Sequence, residues 1–523
     1  MGSKHQHKCD SWVWCGTCFG GQPRFRVSPN VICSYENFPL QLLIVSVMED
    51  VSNSTLSLKH FQFCYGRAFR NSSCPCPESA KPINCAKKNV RAMKGMVEQS
   101  DKLCHRLRSN DPGLSVIRSY EIEDYDATKL VQLMDAARHS QHLKWMYIDL
   151  DYMKMNAWES LAAFVNLSRS IEKLWVWNLR SQIATKTEYI SQFFSAMNPR
   201  AVSLQGFGIE MLEPDRRFLT LERACVENFF ARNDTITIVN ILCEARRHPQ
   251  NQVEHESQDR GSSFLDCALS GLQRNDTVEY LILRHSDQSD DCCMQINPNS
   301  ICEFFRYNQS VHTLSYLVGN STRDAEALGA SLKFNRRPRE LCLHNMSEQA
   351  AMAFFAQLPG ACKLETLTLR DCSFGTAETV GAFVQGVCGC TCLKKLDIEL
   401  IPQGQSLAYT DRFLVELCPC LAVHSTLREV SIGNGRQLGT VGANALGESL
   451  SAESGLEEIE LRVEEVTVAG AKTLASKIPS FRGLRSFHLR SSVMTRQSQE
   501  LLLDSVEKNA QIKSWRIESI KVL

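Results

Sequence analysis

An apolar-x-x-apolar-x-apolar spacing recurs along most of this chain and is clearest at Leu364, Leu367 and Leu369. The same triplet falls at 278/281/283, 311/314/316, 338/341/343, 393/396/398, 427/430/432, 456/459/461, 484/487/489 and 512/515/517. Weaker copies stand at 143/146/148, 171/174/176 and 236/239/241, with a poor one near Ala201. Polar residues alternate with the last two apolar ones, the pattern of a short strand with one face in a core. Leu367 and Leu369 are therefore expected inside and Thr368 outside. Between strands the period changes. Val380, Phe383, Val384 and Val387 fall at i, i+3, i+4 and i+7, one stripe of a helix. First positions lie roughly 26 to 42 residues apart, the spacing of stacked repeats that cover one another's apolar faces.

Parallel strands joined through helices cross over right-handedly. About thirteen such units predict an α/β fold: a curved solenoid, or horseshoe, with strands on the concave face and helices on the convex face. Asparagine supports the register independently. Asn233, Asn275, Asn308, Asn335 and Asn509 each stand three residues before a strand's first apolar position. Because Asn tolerates left-handed backbone, these residues are expected to end each helix in that conformation. The Asn-x-Ser/Thr sequons at 233, 275 and 308 then mark helix ends rather than sugar sites.

This alternation resembles the leucine-rich repeat family, in its ribonuclease-inhibitor-like form with long helix-containing repeats, over roughly Ala127 to Leu523. The resemblance implies a scaffold for binding a protein. It departs from the family in one respect. Asn or Cys is usual three residues after the third apolar position; here Cys372 fits, whereas Ser286, Gly319, Met346, Gly435, Glu464 and Ser492 do not. Irregular loops are expected, with insertions at 246–262, 286–291 and 401–410.

Residues 1–110 lack the repeat and are expected to form a cysteine-rich, loosely ordered region, with a capping helix in 86–108. Residues 111–523 form the solenoid, opened by a half-repeat at Leu114 and Ile117. Cys9, Cys15, Cys18 and Cys33 include one CxxC pair but no second, so no metal site is assigned. Pro39, Leu42, Leu43 and Cys64 faintly resemble an F-box, which makes the substrate-recognition subunit of a ubiquitin ligase, through 38–70, an alternative reading. A GTPase-activating repeat regulator is a second alternative, although no arginine is singled out for it.

Composition narrows the function further. Lys+Arg and Asp+Glu both number 58, so charge gives no reason to expect nucleic acid or an anionic membrane as partner. The apolar run 40–48 is too short to span a bilayer, the polar start is unlike a secretory signal, and Gln6 stands where myristoylation wants Ser or Thr. A cytoplasmic monomer with its 23 cysteines reduced is the expectation. No phosphate loop, nucleophile elbow or His-Glu-x-x-His motif is present, so neither catalysis nor a cofactor is expected.

The candidate site is the concave face. Strand alternation points Trp145, Tyr147, Lys173, Trp175 and Trp177 away from the core, followed by Tyr280 and Arg284. Arg370, Lys395, Glu460, Arg462, His488 and Arg490 continue the face, which thus begins aromatic and ends charged. Large aromatics on an exposed surface mark protein contacts. Equivalent residues of consecutive repeats should stack, Trp145 beside Lys173 or Trp175 and Tyr147 beside Trp177.

Overall fold

A computed structural model describes residues 99–119, 122, 126–149, 155–178, 187–200, 204–212, 220–244, 263–286, 298–359, 363–400, 409–451 and 455–522. The chain divides into two compact units, Met1–Ala92 and Met93–Leu523, and all described residues belong to the second. The Cys9–Cys33 cluster, the 38–70 segment, residues 86–98 of the capping helix and most of the expected insertions lie outside the described residues.

Fourteen strands form one sheet in chain order, each parallel to the next. The first seven are β1 (Val116–Arg118), β2 (Trp145–Asp149), β3 (Lys173–Asn178), β4 (Gly206–Leu212), β5 (Ile238–Glu244), β6 (Tyr280–Ser286) and β7 (Thr313–Leu317). Then come β8 (Glu340–His344), β9 (Thr366–Cys372), β10 (Lys395–Leu400) and β11 (Glu429–Leu438). β12 (Glu458–Val466), β13 (Ser486–Met494) and β14 (Ser514–Val522) complete the sheet. A helix precedes every strand, so strands line the concave layer and helices the convex one. The helix Ser100–Arg108 shares this core through Leu103, Cys104 and Leu107.

The triplets are the core. Leu364, Leu367 and Leu369 are fully buried and Thr368 is partly exposed, as the period requires. Adjacent phenylalanines fill the space between layers: Phe194 meets Phe207, Phe229, Phe230 and Phe264, and Phe355 meets Phe354, Phe374 and Phe383. Ser or Thr caps the following helix in several repeats, with Ser263, Ser321, Ser347, Thr376, Thr467 and Thr495 accepting a backbone N–H three residues on.

Four expectations are corrected. The weak unit near Ala201 has its triplet at Leu204, Phe207 and Ile209, all buried; Gly206 and Gly208 occupy the alternating positions and blur the strand signal. Trp515 fills the second triplet position of β14 yet is 42% exposed, because β14 is the edge strand of the described sheet. Cys388 and Cys420 are bonded as a disulfide between the helices Ala377–Cys388 and Tyr409–Val423, with Cα atoms 5.9 Å apart. Adjacent helix ends one repeat apart bring the two within disulfide reach.

The fourth correction concerns asparagine. Among the described residues, the non-glycine residues with left-handed φ are Asn110, Asn345, Asp371 and Asn434, none of them in the five-residue Asn register. The register residues act instead through their side chains. Asn308 Oδ1 accepts from the N–H of Ser310 (3.1 Å) and Val311 (2.9 Å), while Nδ2 donates to the carbonyls of Leu272 (2.7 Å) and Asn275 (3.0 Å). Asn275 likewise donates to Phe230 and Asn233, and Asn335 to Asn308. The result is a buried amide ladder from Asn233 to Asn335 that ties successive helix ends together. Because Asn233, Asn275 and Asn308 are buried, their sequons are structural.

His424 stands at the equivalent position before Leu427. Its Nδ1 accepts the Leu427 N–H at 3.2 Å and its Nε2 lies 3.3 Å from the Val387 carbonyl. Neutral imidazole thus satisfies both contacts. Burial holds its pKa below the usual histidine range.

Two predictions follow from the ladder. Asn308→Ala should cost about 3 kcal/mol in chemical denaturation, because it leaves buried N–H and C=O groups unpaired. For His424 the folded-state pKa is lowered, so the unfolded chain binds the proton more tightly. Stability present above pH ~6.5 should be lost as pH falls through the folded value. His424→Asn, which keeps an acceptor and a donor, should flatten that acid-side loss; an unchanged pH profile of the denaturation midpoint would refute this role.

Candidate functional site: the concave face of the sheet

Because every strand pairs in parallel with the next, one row of side chains crosses the whole concave face. It starts Arg118, Tyr147, Trp175, Gly208, each the register partner of the one before. It continues through Asn240, Ile282, Ser315 and Cys342. Thr368, Asp397, Ser431, Glu460, His488 and Arg516 complete it. Chemistry changes along this row in three stretches.

The first stretch is aromatic and cationic. Trp145 pairs in register with Lys173, whose Nζ sits 4.6 Å from the centroid of the Trp145 ring. Tyr147 pairs with Trp175 and not with Trp177; their ring centroids are 6.3 Å apart. The guanidinium of Arg118 lies 6.0 Å from the Tyr147 centroid on the other side. Trp177 is displaced one row outward, between Asp149 and Glu210, because the register is in phase across these strands. Tyr147 is buried, whereas Trp145, Lys173 and Trp175 are partly exposed.

Glycine makes this stretch possible. A Cβ placed on Gly208 would come within 2.4 Å of Trp175 Cε2, and one on Gly206 within 3.2 Å of Lys173 Cγ. The indole therefore lies against bare backbone of β4. A pattern search for apolar positions passes over this feature, since glycine carries no hydrophobic signal; two glycines at alternating strand positions after a tryptophan-rich strand are the trace it leaves.

The middle stretch is buried and uncharged at Asn240, Ile282, Ser315 and Cys342. Beside it, Tyr280 stacks edge-on against His312 at 5.0 Å between centroids. Arg284 is placed by register next to Leu242.

In the third stretch the charges neutralise one another. Arg370 reaches Asp397 at 2.6 Å and Glu399 at 3.3 Å, and Asn434 donates to the same Glu399 at 3.0 Å. Arg462 adds contacts to Asp397 (3.8 Å) and Glu460 (3.9 Å); Arg490 bridges Glu460 (3.7 Å) and Glu518 (3.8 Å). Lys395 pairs with Glu429. His488 lies in register between Glu460 and Arg516. Since Arg370, Asp397 and Glu399 are mostly buried, removing one would leave the others uncompensated. These residues pair with one another across β9 to β14.

No family model matches the chain, and no curated protein matches it. Solved structures with some likeness include the complex of Rad7 and Elc1 in yeast, at TM-score 0.35 and 13% identity, covering 87% of this chain and 94% of that one. The tropomodulin C-terminal domain from Caenorhabditis elegans has TM-score 0.23 and 13% identity over 34% of this chain and 92% of that one. Leiomodin-1 actin-binding site 2 has TM-score 0.20 and 12% identity over 36% and 80%. At these values the likenesses carry no argument about what this chain binds.

The packing of Trp175 on Gly208 is testable as a coupling. Gly208→Ala should cost about 1 to 3 kcal/mol in urea denaturation, because the methyl group displaces a ring held from below. In a Trp175→Ala background the same change should cost far less. Additive effects of the two substitutions would mean the indole does not rest there.

Proposed function

We propose that this chain is a non-catalytic leucine-rich repeat scaffold of the ribonuclease-inhibitor-like type that binds a protein partner on its concave face, through Trp145, Lys173 and Trp175. The observation that carries the reading is the seating of Trp175 against Gly208. It presents a large, rigid, partly exposed indole on a flat backbone shelf, beside a second indole bearing a cation. Rigid aromatics with an adjacent cation supply contact area at little cost in side-chain entropy, and such residues dominate binding energy at interfaces. The charged stretch from Arg370 to Glu518 is occupied with its own ion pairs, which supports the aromatic end as the contact region. Neither a membrane nor nucleic acid is needed on this reading; no helix among the described residues is long and apolar enough to cross a bilayer.

Proximity labelling in cells, with the unaltered chain and with Trp175→Ala and Arg490→Ala variants, tests it. A partner recovered by the unaltered chain and by Arg490→Ala should be lost with Trp175→Ala. Its affinity, measured with purified proteins, should fall by about 2 kcal/mol, roughly thirtyfold in Kd. Retention of every recovered partner by a normally folded Trp175→Ala variant would remove the aromatic end as the site.

A further inference from the structure

On the buried middle of the concave face, three side chains of two adjacent strands converge. Cys342 and His344 lie two residues apart on β8 and so project to the same side. Ser315 on β7 is the register partner of Cys342. Cys342 Sγ is 3.2 Å from His344 Nε2, and Ser315 Oγ is 3.2 Å from the same nitrogen. A thiol and a hydroxyl, both able to donate, thus face one ring nitrogen, the arrangement expected when that nitrogen carries the lone pair. None of this enters the protein-binding reading, and the inference stands independently of it.

Three other thiols are placed differently. Cys225 Sγ faces the Leu221 carbonyl at 3.3 Å, and Cys302 Sγ faces the Ala327 carbonyl at 3.4 Å. Cys372 Sγ faces the carbonyls of Arg370 (3.4 Å) and Leu343 (3.8 Å). A carbonyl can only accept, so it rewards the protonated thiol. An imidazole nitrogen can take the proton away, and a sulfur beside the resulting imidazolium is a nucleophile. His344 also pairs in register with Arg370, a cation already engaged by Asp397 and Glu399, and with Leu317 on the opposite side.

We propose that Cys342, paired with His344, is a peroxide-reactive thiol built into the concave floor. The pair is only 5% and 6% exposed, which admits a small uncharged oxidant such as hydrogen peroxide and excludes a bulky protein disulfide. In the reaction the proton of Sγ passes to His344 Nε2, and the sulfur attacks one peroxide oxygen. The O–O bond breaks, and sulfur gains an S–O bond as it loses two electrons to the peroxide. The departing hydroxide takes the imidazolium proton as water. The products are a sulfenic acid at Cys342 and neutral His344. An added oxygen then appears within the buried stretch between the aromatic and the ion-paired parts of the face.

The test ranks the thiols of the folded, full-length chain. The protein is exposed to hydrogen peroxide for graded times, catalase removes the oxidant, and the chain is unfolded in dimedone. Mass spectrometry then gives sulfenic acid occupancy at each cysteine. Cys342 should be oxidised about tenfold or more faster than Cys225 and Cys302, although both of those are the more exposed. His344→Gln should lower the Cys342 rate by at least that factor and leave Cys225 and Cys302 unchanged. A ranking that follows exposure, or a Cys342 rate indifferent to His344→Gln, overturns the proposal. Should His344→Gln fail to fold, the ranking in the unaltered chain decides, together with Ser315→Ala, which keeps the imidazole and must keep Cys342 first.

Discussion

One hydrogen-bonding arrangement sets the register on which everything else depends. At the start of each strand a single carbonyl of the preceding repeat accepts two consecutive N–H groups. The Lys144 carbonyl takes Glu172 and Lys173, that of Glu365 takes Lys394 and Lys395, and that of Arg485 takes Lys513 and Ser514. The same contact recurs between every consecutive pair of strands from β1 to β14. A one-residue slip would exchange the core and concave faces of a strand, so fixing this point fixes both the apolar layer and the chemistry of the inner row. Side chains at these positions form exposed ion pairs, such as Lys144 with Glu172 and Lys394 with Glu365, both at 2.8 Å. Exposed pairs add little stability, so the backbone carries the register.

The amide ladder does for the helical layer what the carbonyls do for the sheet. Strand registration alone leaves each helix free to splay where it turns back into the next strand. Asn275 and Asn308 close that gap by joining carbonyls at successive helix ends to N–H groups of the turn that leads into the following strand. His424 shows what the position requires: one acceptor and one donor at a fixed separation, inside the protein. Asparagine supplies both at any pH, whereas histidine supplies them only when neutral.

The strand triplets and the Asn register were legible because each repeats with a fixed offset, and a periodic signal survives weak members. What escaped was carried by single residues whose meaning depends on a neighbour thirty positions away. Gly208 is informative only once Trp175 is known to lie beside it. The left-handed residues Asn345, just past β8, Asp371, near the end of β9, and Asn434, midway along β11, stand two residues past the third apolar position, whereas the family resemblance directed attention to the third. Alternation left Trp145 open between Lys173 and Trp175 and put Tyr147 beside Trp177; because β2 and β3 pair in phase, Trp145 meets Lys173 and Tyr147 meets Trp175. Likewise the ion pairs among the charges of β9 to β14 depend on partners one or two repeats away, which composition and alternation do not reveal.

A row of this kind localises the effects of change. Concave side chains touch register neighbours and, through longer arms, groups on the same strand or two strands away, as Arg462 does with Glu460 and Asp397, so these contacts stay within about three adjacent strands. Aromatic, buried uncharged and ion-paired stretches can therefore follow one another on one sheet. The buried stretch separates the aromatic surface from the ion-paired one. Gly206 and Gly208 bound the aromatic surface on one side, and the Arg370 carboxylate contacts bound the ionic one on the other. A large partner resting on the aromatic end would then meet the ion-paired end only across a stretch offering few charges, so its affinity should come from aromatic contact area and depend weakly on salt.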